Sequence, residues 1–151
     1  MRKLVFIIAF GVLLAGVSPS HATPPSDVVI HIDTVFPPDG GPASGQFTAT
    51  GPICSAGSTI DLFVLGGGFQ SGVVGELLAV KQFTCADGSG TFLLLLRVHL
   101  VFEPTTTTNT FTWSVLSGTG AYENLHGAGT GFGVFAPGGV LDTLTGRMHV
   151  D

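Results

Sequence analysis

From Asp27 to the C-terminus, apolar residues recur at every second position, not every third or fourth. That spacing belongs to strands with one face against a core. Short β-branched or aromatic runs are separated by Gly, Pro, Asp and Asn, the residues of turns. The pattern predicts eight strands, over residues 27–36, 44–51, 58–65, 73–86, 89–103, 109–117, 129–135 and 140–150. Pro37–Pro42 joins the first two, Asp87-Gly88 marks a hairpin between the fourth and fifth, and Pro137-Gly138-Gly139 joins the last two. Only Ala121–His126 reads as helical, and it is short. Most connections are too brief for parallel crossovers, so the sheet is expected to be antiparallel. The fold class is therefore all-β: an eight-stranded antiparallel barrel, with a β-sandwich as the alternative.

The fifth predicted strand defines an inside. Phe92, Leu94, Leu96, Val98, Leu100 and Phe102 share one face, which must be core. The other face mixes Leu93, Leu95 and Val101 with Thr91, Arg97, His99 and Glu103. At about 3.3 Å per residue this strand would run roughly 50 Å, so it must coil, as barrel strands do. The sixth strand groups Phe111, Trp113 and Val115. The eighth points Val140, Leu144, Met148 and Val150 inward, with Asp142 on the same face. An immunoglobulin-type sandwich would place its core Trp between two cysteines. Trp113 follows both Cys54 and Cys85, which counts against that fold.

Composition narrows the setting. Of 151 residues 44% are hydrophobic and 10% charged, which argues against a disordered chain. A net charge of -5 argues against a nucleic-acid partner. Residues 1–22 read as a signal peptide: Arg2 and Lys3, an apolar run from Leu4 to Val17, then small Ser20 and Ala22 before the cut. The apolar run would span about 21 Å as a helix, short of the roughly 30 Å hydrocarbon core. Residues 23–151 are then a single barrel domain, expected to be secreted, extracellular or periplasmic, with no further membrane-spanning run. Only Lys81, Arg97 and Arg147 remain as basic residues, against ten acidic ones. Cys54 and Cys85 fall in the exported part and are expected to form a disulfide worth about 3.7 kcal/mol in the chain-entropy model. They form no CxxC pair, which disfavours redox or metal roles.

The segment Trp113-Ser-Val-Leu-Ser-Gly-Thr-Gly-Ala-Tyr-Glu-Asn-Leu-His-Gly-Ala-Gly129 resembles the strand–GTG–aromatic–short helix–GxG element of the allene oxide cyclase-like and dirigent-like barrels. Phe83–Phe92 and Asp142–Gly146 look like the uncharacterised secreted bacterial members. The resemblance covers roughly residues 44–150. It implies an eight-stranded antiparallel barrel and, from the plant members, a homo-oligomer. It transfers no catalytic set, because none of those enzymes' residues align to positions here. The residues give the motif a conformational reason. Gly118 and Gly120 are expected to take positive φ where the strand leaves the sheet. Tyr122 and Leu125 are expected to cap the barrel end. Gly127, Gly129, Gly131 and Gly133 leave one face of a strand bare, so another element can approach.

Candidates for chemistry are sparse. GxSxG, HExxH and phosphate-loop motifs are absent, and GxGxxG fails at Glu123. His31, His99, His126 and His149 are scattered, so no metal site or cofactor is expected. Arg97 with His99, and Arg147 with His149, are expected on solvated outer faces, or as an anion or carbohydrate contact. Asp142 and Glu76 share faces with apolar residues; inside a barrel either would gain a raised pKa and serve as acid or base. Arg97, His99, Asp142 and Glu76 are therefore the candidate ligand-binding residues. Leu93, Leu95 and Val101 suggest a partner surface. The sequence favours a secreted, disulfide-stabilised barrel with a non-catalytic binding or structural role. The alternative is a carrier of a small hydrophobic ligand, or a cyclase- or isomerase-like barrel enzyme. Bulky inward residues on the fifth strand weigh against a large cavity.

Overall fold

The structure, a computed structural model, describes residues 23–70 and 74–151. The expected signal peptide lies outside the described residues. The strands are β1 (Ser26–Val35), β2 (Ser44–Thr50), β3 (Ala56–Gln70), β4 (Val74–Cys85), β5 (Gly90–Phe102), β6 (Thr107–Gly120), β7 (Leu125–Ala136) and β8 (Gly139–Val150). Each pairs antiparallel with its neighbour, and β1 pairs with β8, so the sheet closes into an eight-stranded barrel. The pairing of β1 with β8 makes the sheet a closed barrel and not a sandwich.

Three predicted elements differ, among them the seventh strand, which begins at Leu125 and not at 129. The third strand continues past Leu65, because Gly66 and Gly67 stay extended and pair with Leu77 and Glu76. Residues Ala121–Asn124 form a tight turn, not a helix. The corner glycines also divide their roles. Gly120 has φ 62°, as a turn requires, but Gly118 lies outside the left-handed region. Gly118 is needed for another reason: a Cβ there would clash with the Tyr122 carbonyl oxygen.

The bare face of β7 is the interior face, and side chains from neighbouring strands fill it. A Cβ at Gly131 would strike the Phe111 ring, and one at Gly129 would lie 2.6 Å from the Trp113 indole. Glycine in β7 thus makes room for large aromatics of β6 lying across the barrel.

The end holding the β4–β5 hairpin is packed solid. Phe83 stacks on Phe92 at 4.8 Å between ring centres. Phe47 meets Phe83 edge-on at 5.2 Å, and Tyr122 meets Phe92 edge-on at 5.5 Å. Such offset and edge contacts suit the aromatic quadrupole. The Cys54–Cys85 disulfide ties the β2–β3 loop to the end of β4, with Cα atoms 5.9 Å apart. The Cys54 amide donates to the Tyr122 hydroxyl at 2.9 Å, and Ser89 Oγ lies 3.0 Å from that hydroxyl. Tyr122 and Leu125 are buried there and cap this end, as the motif suggests.

The opposite end is looser. Pairing of β2 with β3 stops at Ser44–Ile60, and beyond it the Asp61 amide donates to the Ala43 carbonyl. A register shift at Leu62 then lets β3 run on with β4 alone. Leu62, Phe63, Val64 and Leu65 are exposed on this extension. Leu93, Leu95 and Val101, expected on an outer apolar surface, are only half-buried; the larger apolar exposure lies on β3.

Candidate functional site

A cavity of about 490 Å³ occupies the loose end of the barrel. Its wall includes Leu77 and Ala79 of β4, Leu96, Val98 and Leu100 of β5, Phe135 of β7 and Val140 of β8. The β1–β2 loop, Gly40–Ala43, and Leu62–Val64 of β3 form its rim. The cavity exists because inward positions that carry Phe at the packed end carry Ala and Val here. Ala79 sits two positions beyond Lys81 on the face that further along presents Phe83.

Polar side chains gather along one side of this cavity. Lys81 is 4% exposed, and its Nζ lies 2.6 Å from Asp61 Oδ1 of the facing strand. That Asp61 oxygen has no aligned hydrogen bond, so the contact is ionic. Lys81 Nζ also donates to Thr34 Oγ1 at 3.4 Å. On the other flank Asn109 Nδ2 donates to Asp142 Oδ1 at 3.1 Å. Asn109 and Asp142 are 6% and 7% exposed, and both line the cavity with Lys81, Asp61 and Thr34. Gly133 underlies this pair: a Cβ there would collide with Asp142 Oδ1 and lie 2.6 Å from Asn109 Oδ1. Burial pushes the Asp142 carboxyl above its usual range, Asp61 adds to the rise, and the Asn109 hydrogen bond and Lys81 oppose it.

Charges inside a barrel are costly. A buried ion pair rarely repays its desolvation, and apolar replacements of similar volume are often neutral or stabilising. An ion pair beside an amide–carboxyl pair, all facing one cavity, points to a site.

Of the sequence candidates, the structure places only Asp142 in this site. Glu76, Arg97 and His99 lie on the outer wall. Glu76 shares its face with Leu78 and Val80, but that face is outside, and its Oε1 meets His99 Nδ1 at 3.3 Å. Arg97, His99, Thr110, Thr112 and Thr130 border a shallow outer depression. Arg147 is exposed and donates to the Pro25 carbonyl at 2.6 Å. Cross-strand register also brings together His126 and His149, with ring centres 5.3 Å apart and Asp151 within 3.6 Å of both. A broad outer depression near Asp33, Gln46, Ser58 and Thr84 contains none of the buried charges. Among the described residues, no group of three His, Cys, Asp or Glu is placed to hold a metal ion.

Sequence reasoning passed over Lys81, Asp61 and Asn109. Strand parity carried a signal for two of them. Cys85, buried with its partner Cys54, shares strand parity with Phe83, Lys81 and Ala79. Asn109 likewise shares parity with Phe111 and Trp113. Asp61 was hidden by the irregularity at Leu62, beyond which the alternation shifts.

No family model matches the chain, and no curated protein or solved structure matches it.

Proposed function

We propose that the protein is a secreted barrel that binds a small, mainly apolar ligand in its open half. One observation carries this reading: a cavity of about 490 Å³ has apolar walls and a few convergent buried polar groups. That volume falls within the roughly 300–1,000 Å³ usual for small-molecule sites. The packed half and its disulfide serve as the rigid base. Leu77, Leu96, Val98, Leu100 and Phe135 would enclose the ligand body, and the Lys81–Asp61 and Asn109–Asp142 pairs would face its polar end. Binding needs no catalytic constellation, in keeping with the absence of nucleophile motifs. Membership of the allene oxide cyclase-like barrels belongs to the same proposal, supported by the strand number and the Trp113–Gly129 segment. So do export, supported by the Arg2-to-Ala22 pattern, and self-association, supported by the exposed Leu62–Leu65 edge.

Equilibrium titration with naphthalene tests the reading. Saturable one-to-one binding is expected for the protein, and its loss in Ala79→Trp, whose indole would occupy the cavity. Absence of saturable binding, or equal binding by the folded variant, would overturn it.

A second reading is isomerase-like acid–base chemistry in the same cavity. It draws on Asp142, whose carboxyl holds its proton more tightly than usual beside the Lys81–Asp61 pair. Conversion of a bound ligand that is lost in Asp142→Asn, with binding kept, would favour it over simple carriage.

A further inference from the structure

We propose that the protein pairs with a second copy of itself through the free edge of β3, strand against strand, around a two-fold axis. This inference rests on the self-association named above and gives it a place and a geometry.

Pairing stops early on one side of β3. β2 accompanies it only as far as Ser44–Ile60, and the Asp61 amide then donates to the Ala43 carbonyl. On the other side β4 stays with it, from Phe63–Val80 to Gly67–Glu76. Among the described residues, no strand pairs with the second edge of Leu62–Gly66. Such an edge holds unpaired N–H and C=O groups, the template on which another strand adds.

The side chains agree with the backbone. Leu62, Phe63, Val64 and Leu65 are exposed in succession, by 49% to 58%, so apolar residues lie open on both faces of the strand. Val35 and Ile60 extend the patch. Both are exposed, and both flank Ser44 in one row across β1, β2 and β3. Sheet edges are ordinarily guarded by lysine, proline or an inward charge. From Leu62 to Gln70 there is neither charge nor proline. The register shift at Leu62 comes before Phe63 and leaves the run behind it paired with β4.

The occupant must be a strand. A lipid surface would cover the side chains but leave the edge amides and carbonyls without partners. A second copy supplies the strand. Two identical edges related by a two-fold axis run antiparallel, satisfy each other's backbone groups and leave no edge for a third chain. Charge favours the same meeting. The chain has ten acidic residues against five basic ones, so two copies approach most easily through an uncharged surface. The adjoining Asp61 is held by Lys81 at 2.6 Å. Leu62, Phe63 and Val64 are also the rim of the cavity, so the partner's strand borders its mouth.

Sedimentation equilibrium and amide hydrogen exchange on the full exported chain, without ligand, test the proposal. A reversible monomer–dimer equilibrium is expected on dilution. The amides of Leu62–Gly66 that do not face β4 should exchange at least about tenfold more slowly in the dimer than in the dilute monomer. Leu65→Lys places like charges in the shared edge at an already exposed position. It should raise the dimer dissociation constant at least about tenfold, with circular dichroism reporting the fold. A dimer whose edge amides exchange as fast as the monomer's would overturn the inference and leave self-association standing. So would a dimer left intact by folded Leu65→Lys, or open-ended assembly beyond two copies. A strict monomer at every concentration would sink self-association and this inference together. Naphthalene binding is read separately, so the cavity reading stands or falls on its own. The exchange measurement on the unaltered protein decides the matter even if the variant does not fold.

Discussion

The two halves of the barrel share strands, twist and alternation, yet one is full and the other is hollow. At the packed end, inward positions of β2, β4 and β5 carry Phe47, Phe83 and Phe92, closed over by Tyr122. At the open end the same strand faces carry Ala79, Val98 and a line of polar groups. The backbone alone therefore does not decide whether a small barrel holds a ligand. Side-chain volume at a few inward positions does, together with the short β2 that leaves the rim open. The packed half supplies stability, and the open half gives some of it up by keeping charges away from water.

That contrast is tested most strongly at Phe92. Phe92→Ala removes a fully buried ring from the stack and should lower stability by about 3–5 kcal/mol in urea unfolding. A loss below about 1 kcal/mol would mean the packed end is not the base of the fold. Next comes the ion pair. Lys81→Met leaves Asp61 buried without its cation and should cost about 3 kcal/mol, most of which returns in the double variant Lys81→Met with Asp61→Leu. Additive losses in the double variant would show that the pair is not an isolated charged unit.

A smaller effect concerns pH. The folded pKa of Asp142 is raised above the ordinary 3.8, so the folded protein binds the proton more tightly than the unfolded chain. The stability this contributes is fully present below 3.8 and is lost as pH rises through the raised value. Asp142→Asn should therefore flatten that part of the stability–pH curve, measured by thermal unfolding across the acidic range. An unchanged curve would remove the carboxyl from the account. The smallest change is expected from Ala79→Leu. It fills open space and should alter stability by no more than about 1 kcal/mol while weakening ligand binding.

The fold was legible because period 2 persists through all eight strands and the inward face of β5 is unbroken from Phe92 to Leu100. The solid end was legible too, since Tyr122, Leu125 and the cysteines carry local signals. The site was legible only at Asp142, which sits between Val140 and Leu144 on an otherwise apolar face. Glu76 offered the same pattern on β4, yet Leu78 and Val80 belong to the outer wall and the inward face is that of Ala79, Lys81 and Phe83. A strand with apolar residues on both faces gives no internal sign of which is inside. The Lys81–Asp61 pair also depends on cross-strand register, and the Asn109–Asp142 pair joins β6 to β8 across the bare face of β7. No spacing within one strand encodes either meeting.

The central claim is that a ligand enters the open half and no other part of the barrel. Methyl-resolved NMR of the protein saturated with naphthalene tests it directly. The account predicts intermolecular Overhauser contacts from the ring to the methyls of Val98, Leu100 and Val140, with none to Val28 or Met148 in the packed interior. Contacts to Val28 or Met148, or to outer-wall methyls alone, would contradict it.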